Sequence, residues 1–191
     1  MMKLLMMVMS SLMILVASAY EVWTDPNTGI KWTYTIQSDG TVSLGAGPNL
    51  AVSSDMCGAL AIPSSINELL VTSIGSCAFY DCRGLTSVTI PSSVVNIGEA
   101  AFSYCSGLTS VSIPSSVTSI GGDAFFQCSG LTVVDVKNLE DWCRIEFASK
   151  HANPLCSAGK LSLNGVEIID LIVPNGVKKI GEYAFYNCSG L

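Results

Sequence analysis

The segment Cys105–Gly121, CSGLTSVSIPSSVTSIG, has a near-copy 23 residues earlier at Cys82–Gly98, CRGLTSVTIPSSVVNIG. Thirteen of the seventeen positions are identical. The four that differ (Arg83/Ser106, Thr89/Ser112, Val95/Thr118, Asn96/Ser119) include no Leu, Ile, Pro, Gly or Cys. One set of positions is held and another is free, as expected when half of a segment is packed and half faces water. Within the segment, Val111 and Ile113 alternate with Ser110 and Ser112 after Leu108, the pattern of a short strand with one buried side. Pro114 ends the strand because it cannot donate to a ladder, and Ser115-Ser116 supplies a turn. Val117 and Ile120 return inward, and Gly121 is read as permitting a tight bend. Ile120, Ala124 and Cys128 follow at i, i+4 and i+8 with Phe125 beside them, a spacing that predicts one or two helical turns against the strand layer.

The same pattern recurs along the chain. Ile-Gly stands at 74–75, 97–98, 120–121 and 180–181, and Ala-Phe at 78–79, 101–102, 124–125 and 184–185. Cys follows at 82, 105, 128 and 188, and Gly-Leu at 84–85, 107–108, 130–131 and 190–191. The first three registers are 23 residues apart and the last follows after 60. A fixed period of this length marks a solenoid, in which each unit covers its neighbour's apolar face. The expected fold is mainly β with short helical turns. Its core columns are Ile74, Ile97, Ile120 and Ile180; Phe79, Phe102, Phe125 and Phe185; Cys82, Cys105, Cys128 and Cys188; and Leu85, Leu108 and Leu131.

The pattern Leu-x-x-Val-x-Ile-Pro-x-x-Val-x-x-Ile-Gly-x-x-Ala-Phe-x-x-Cys resembles the leucine-rich repeats of BspA-type bacterial surface proteins, over roughly residues 60–191. The resemblance implies a leucine-rich-repeat solenoid; periodicity alone also allows a plain β-solenoid. It further implies an association with adhesion to host proteins or surfaces.

Outside the pattern, Ile30, Trp32, Tyr34 and Ile36 share one face of an alternating run, Asp39-Gly40 makes a turn, and Val42 and Leu44 lie on the return strand. This hairpin is expected to cap the array within residues 20–59; an aromatic platform on Trp23 and Trp32 is the alternative. Ile62-Pro63-Ser64-Ser65 opens the regular units of 60–136, with five extra residues forming a longer turn near Glu68. Residues 137–172 read as an irregular unit, with a helical piece near Leu139–Ile145, a strand near Leu161–Leu163 and a turn at Asn164-Gly165. Its "NLEDWC…NPL…LNG" also resembles inserts of the BspA-type family. Residues 173–191 are a further repeat, which stops where another strand should open and is read as truncated.

The chain has 191 residues, 49% hydrophobic and only 13% charged, so Ser, Thr, Asn and Gly must supply the polar surface. Residues 1–19 carry Lys3, an apolar run from Leu4 to Val16 and Ala17-Ser18-Ala19, the order of a secretory signal peptide cleaved after Ala19. The run is short for a membrane anchor and no second stretch is long enough to span. Without Lys3, eight basic side chains face fifteen acidic ones. With no basic cluster beyond Lys178-Lys179, nucleic acid and anionic membranes are poor partners.

Eight cysteines in an exported chain raise the question of disulfides. The four in repeat phase should instead stack as free, buried thiols. Cys77 with Cys57, or Cys143 with Cys156, could still pair. Cys143, His151 and Cys156 are too few and too far apart for a zinc site, and a Cys-His nucleophile built on the single histidine is no better supported. His151 reads as an exposed loop residue. Asn187-Cys188-Ser189 matches a glycosylation sequon that the repeat consensus already explains.

No active site, metal or cofactor is therefore expected. The chain reads as an exported, non-catalytic binding or adhesion scaffold, secreted or at the cell surface, whose partner is a protein or glycan macromolecule. Its candidate binding face is Thr86, Ser87, Thr89, Thr109, Ser110 and Ser112. The alternatives are a structural spacer carrying a missing C-terminal domain and, more remotely, a Cys/His hydrolase.

Overall fold

The computed structural model describes residues 20–45 and 47–190. The expected signal peptide, 1–19, lies outside them. Among the described residues, fourteen strands and two short helices wind into stacked coils whose strands form two sheets. The chain enters as an antiparallel ribbon, β1 (Glu21–Thr24), β2 (Lys31–Ile36) and β3 (Val42–Leu44). β3 then pairs in parallel with β6 (Leu69–Ile74), and the first sheet continues through β8 (Asn96–Ile97), β10 (Ser119–Ile120) and β12 (Glu146–Phe147). The second sheet runs from β4 (Cys57–Ala61) through β7 (Gly84–Thr89), β9 (Ser110–Ile113) and β11 (Val133–Val136) to β13 (Leu161–Leu163), all parallel. β14 (Val166–Glu167) closes its edge antiparallel to β13.

Strand register turns the repeat into columns. Leu44, Ile74, Ile97, Ile120 and Phe147 are successive partners in the first sheet, and Leu60, Val88, Val111, Val134 and Leu161 in the second. All ten are buried. Between the sheets, Phe102 stacks on Phe79 at 5.0 Å and 2° and on Phe125 at 5.2 Å and 14°. None of the eight side chains at the four variable positions is buried. The hairpin's buried residues, Trp32, Tyr34, Val42 and Leu44, extend the same core, with Trp32 edge-on to Phe79. Trp32 is only 1% exposed, so no aromatic platform forms on it. Ile36, expected on that buried face, is exposed at the end of β2.

The extra residues of the first unit form a hairpin of β5 (Ser65–Ile66) with β6, turned at Asn67 and Glu68, both with positive φ. The irregular unit contains α1 (Leu139–Arg144), capped by the Asn138 side chain, and a second helix that its sequence did not announce, α2 (Leu155–Ala158). Asn164-Gly165 makes the turn from β13 to β14.

The third side of each coil departs from expectation. Residues 76–81, 99–104 and 122–127 form no helix. Their alternate N–H groups point along the stack: Cys77, Phe79 and Asp81 donate to the carbonyls of Glu99, Ala101 and Ser103, and Ala100, Phe102 and Tyr104 to those of Gly122, Ala124 and Phe126. The N–H groups between them close tight turns, such as Tyr80 to Cys77. Left-handed residues recur four apart, at Cys77/Asp81, Ala100/Tyr104 and Asp123/Gln127. Bonding to the next coil outcompetes i to i−4 bonding because it continues the ladders of the two sheets around a third face.

The repeat glycines serve close approach rather than bending. Gly121 has no left-handed φ; a Cβ there would lie 2.5 Å from the Glu99 nitrogen. At Gly107 and Gly130 it would meet the carbonyl oxygens of Arg83 at 2.2 Å and Ser106 at 2.4 Å.

All eight cysteines are free, so neither Cys57–Cys77 nor Cys143–Cys156 pairs. Cys82, Cys105 and Cys128 are buried in a column. Two of them do more than fill space: Cys105 Sγ donates to Phe79 O at 3.0 Å and Cys128 Sγ to Phe102 O at 3.1 Å.

The last coil corrects the expected core. Ile180 is 44% exposed, and Phe185 and Cys188 are only partly buried. Residues 168–190 form no strand, and among the described residues no coil lies beyond them to cover these side chains. This coil is held instead by the irregular unit. Trp142 Nε1 and Asn153 Nδ2 both donate to Ala184 O at 3.0 Å, and Asn153 Nδ2 also donates to Tyr183 O at 2.6 Å.

Candidate binding face

The second sheet aligns the candidate residues across coils. Ala59, Ser87, Ser110 and Val133 form one outward column, and Ala61, Thr89, Ser112 and Asp135 another. The alternation of β7 and β9 makes this so: Val88, Val111 and Ile113 point inward, leaving the intervening hydroxyls outward. Thr86, Thr109 and Thr132 make a third column at the strand entrances. Thr109 gives both its N–H and its Oγ1 to Thr86 O, each at 2.9 Å, and Thr132 does the same to Thr109 O.

The six candidates thus divide by what their hydroxyls already do. Thr109 is committed to the preceding coil. Ser112 Oγ lies 3.4 Å from Asp135 Oδ2. Thr86, Ser87, Thr89 and Ser110 make no side-chain hydrogen bond among the described residues, so a ligand meets unspent donors and acceptors there.

A polar network closes the face. Asp135 accepts from Lys137 Nζ at 2.5 Å, Ser162 Oγ at 2.9 Å and Gly165 N at 2.7 Å. Burial pushes its carboxyl upward, but these donors outweigh it and hold the group below its ordinary value. Lys137 and Ser162 stand in the irregular unit, where the regular pattern lapses, whereas Asp135 takes the place of Thr89 and Ser112 in the last regular strand. The field is therefore neutral and hydroxyl-rich, bounded by alanines at one end and an ion pair at the other.

The residues considered for chemistry do not form a catalytic set. Cys143 is buried in α1, its thiol raised by burial and by Glu140. Cys156 and His151 line a cleft of about 260 Å³ with Phe125, Phe126, Gln127, Ser129 and Ser157. Burial also raises the Cys156 thiol, the wrong direction for a nucleophile. His151, read as an exposed loop residue, is half-buried, tilted against Phe126 at 4.9 Å, with Nδ1 3.3 Å from Asp123 Oδ1. Among the described residues no group of three or more His, Cys, Asp or Glu could hold a metal ion. No helix there is long and apolar enough to cross a membrane.

Stacked parallel coils with Leu, Ile, Val, Phe and Cys columns and a Ser/Thr outer sheet define the molecule as a leucine-rich-repeat solenoid. The BspA type leucine-rich repeat region matches residues 59–151 and 157–191 in six copies, and the chain belongs to that family. Solved structures carry the same fold. A leucine-rich repeat protein from T. pallidum superposes with a TM-score of 0.60 at 26% identity, covering 84% of this chain and 66% of that one. A leucine-rich repeat protein from Bacteroides capillosus gives 0.54 at 26% identity, over 70% of this chain and 94% of that one. A leucine-rich cell surface protein from Faecalibacterium prausnitzii gives 0.50 at 22%, over 92% and 54%. No curated protein matches the chain.

Proposed function

We propose that the chain is an exported, non-catalytic scaffold, secreted or displayed at the cell surface, that adheres to a protein or glycan macromolecule. Residues 1–19 serve as its signal peptide, 20–59 as a cap, 60–136 as the regular array, 137–172 as an irregular unit and 173–191 as a further repeat. The observation that carries this reading is the register of Ser87 with Ser110 and of Thr89 with Ser112. It presents rows of hydroxyls about 5 Å apart on a face whose backbone is already fully laddered. Rigid spacing of this kind favours an extended ligand, because little side-chain order is lost on binding. Membership of the BspA-type family and the description of the F. prausnitzii relative as a cell surface protein support the location. The raised thiols of Cys143 and Cys156 weigh against a Cys/His hydrolase.

The test is adhesion of the chain from Tyr20 to a panel of immobilised extracellular-matrix proteins and glycans. It is compared with a Ser87→Lys/Thr89→Lys/Ser110→Lys variant whose circular dichroism matches the parent. Loss of adhesion in the variant supports the face; retained adhesion moves binding elsewhere, and no adhesion by the parent favours a spacer.

A further inference from the structure

The turn side of the coils carries an aromatic file that the core does not need. Inside it, Phe79, Phe102 and Phe125 already stack face to face. Outside them run Tyr80, Tyr104, Phe126 and His151, one from each successive coil, with ring centroids 5.4, 5.6 and 4.9 Å apart. The file is continuous although the rings do not share a repeat position. Tyr80 and Phe126 directly follow the core phenylalanine, whereas Tyr104 comes one residue later. The coils show that other residues fit these places: Ser103 replaces the ring at one position, and Asp81, Gln127 and Asn187 at the other. Tyr80 and Tyr104 are 39% and 37% exposed, so the file lies at the surface. It runs into the cleft of about 260 Å³ beside Phe126 and His151.

Two features select the chemistry of what could lie there. The rings are inclined to one another by 63°, 89° and 50°, so they form no flat platform for successive sugar faces. They offer instead separate ring faces, each with the negative potential that attracts a cation. The same turns also carry carboxylates. The ladder bonds from Cys77 to Glu99 and from Ala100 to Gly122 hold Glu99 and Asp123 on this side. Glu99 makes no ion pair or side-chain hydrogen bond among the described residues, and Asp123 faces only His151. Arg83 is taken up by Asp81 at 2.6 Å, and Lys150 lies near enough to Cys156, in the cleft at the far end, to act on its thiol. With a net charge of −6 on the whole chain, an acidic partner is repelled and a basic one steered in.

We propose that this file, separate from the Ser/Thr face, is a docking track for an arginine-containing basic peptide segment of a partner protein. Guanidinium planes lie against Tyr80, Tyr104 and Phe126 and pair with Glu99 and Asp123. Arginine suits the track better than lysine because its planar group stacks on a ring while its edge donates to a carboxylate.

The test measures binding of a fluorescein-labelled peptide of alternating arginine and glycine to the chain from Tyr20, by anisotropy at about 0.15 M salt to screen remote charge. The control peptide carries citrulline, neutral and planar, in place of arginine. The variant Tyr80→Ser/Tyr104→Asn keeps the net charge and uses residues that other coils already carry. Asn also suits the left-handed φ of 63° at Tyr104, as at Asn187 with 58°. Loss of two exposed cation–ring contacts should weaken arginine-peptide binding about 5- to 30-fold. Glu99→Gln should weaken it separately, and the citrulline peptide should bind poorly to the parent. If the double variant loses native circular dichroism, Tyr104→Asn alone serves, with about a 2- to 5-fold loss expected. Absence of arginine-peptide binding, equal binding of the citrulline peptide, or unchanged binding by the folded variant overturns the proposal. So does binding of a neutral β-linked glucose hexamer that the same variant abolishes. The residues differ from those of the Ser/Thr face, so either surface can fail without the other.

Discussion

Adjacent glycines in one coil provide a test of what holds the coils together. A Cβ on Gly121 would lie 2.5 Å from the Glu99 nitrogen and 2.7 Å from the Gly98 carbonyl carbon, whereas a Cβ on Gly122 meets nothing within 4 Å. Neither glycine has a positive φ, so conformational strain does not separate them. To bring the new carbon to ordinary contact, near 3.4 Å, the two coils must part by about 0.9 Å. The Gly121 N–Ile97 O bond, now 2.8 Å, would then stretch to about 3.7 Å and be lost. Overpacking costs about 1–3 kcal/mol, and a buried N–H left without a partner about 1–3 kcal/mol more. Gly121→Ala should therefore destabilise the chain by about 2–6 kcal/mol. Gly122→Ala should be neutral or stabilise by about 0.4–1 kcal/mol, through the entropy of the unfolded chain. Urea unfolding of the chain from Tyr20, followed by circular dichroism, measures both. If the two variants unfold within about 0.5 kcal/mol of each other, close backbone approach is not what these glycines provide.

Other perturbations probe separate parts of the molecule. Asn153→Ala removes both donors to Tyr183 and Ala184 and the acceptor for Leu155 N; it should cost about 2–4 kcal/mol. Amide exchange should quicken chiefly in residues 173–190, and uniform quickening would show that Asn153 does not clamp that coil. Under native conditions a thiol reagent should label exposed Cys57 rapidly and spare Cys82, Cys105 and Cys128 until the chain unfolds. Burial pushes the Cys82 thiol to about 11 and that of Cys128 to about 12, so raising the pH to 9 should not expose them; mass mapping of the labels checks this. The Tyr34 hydroxyl, which donates to Glu21 at 2.6 Å, is pushed to about 12 by burial and then by Glu21. Its folded value exceeds its unfolded one, so its contribution is complete below pH 10 and lost as pH rises toward 12. Tyr34→Phe should flatten that alkaline loss in urea titrations at pH 9 and 11.5, and an unchanged slope would assign the loss elsewhere.

The inward half of this structure was readable from the 23-residue period because burial constrains side-chain type and position together. Val111, Ile113, Phe125 and Leu131 sit where alternation and phase put them. The turn side was not readable in the same way. The spacing of Ile120, Ala124 and Cys128 suits a helix, but it suits equally a pair of tight turns whose bonds run between coils. Nothing in one coil's sequence says where its N–H groups point. Gly121 was misread for a related reason: a bend is local, whereas a clash with Glu99 involves the coil before. The outward Ser and Thr residues were found by parity, yet the commitment of Thr109 to Thr86 O depends on stacking register. Ile180 and Phe185 match the consensus, but burial also needs a covering neighbour, which a motif does not encode.

The three-sided ladder has a mechanical consequence. Its hydrogen bonds run nearly parallel to the long axis of the stack, so a pull along that axis loads them end-on. The weakest junction yields first and the next follows, coil by coil, giving a compliant tether that lengthens at modest force. A pull across the stack shears many bonds at once and meets far greater resistance. The stiffness of such a stack therefore depends on the direction from which it is tugged.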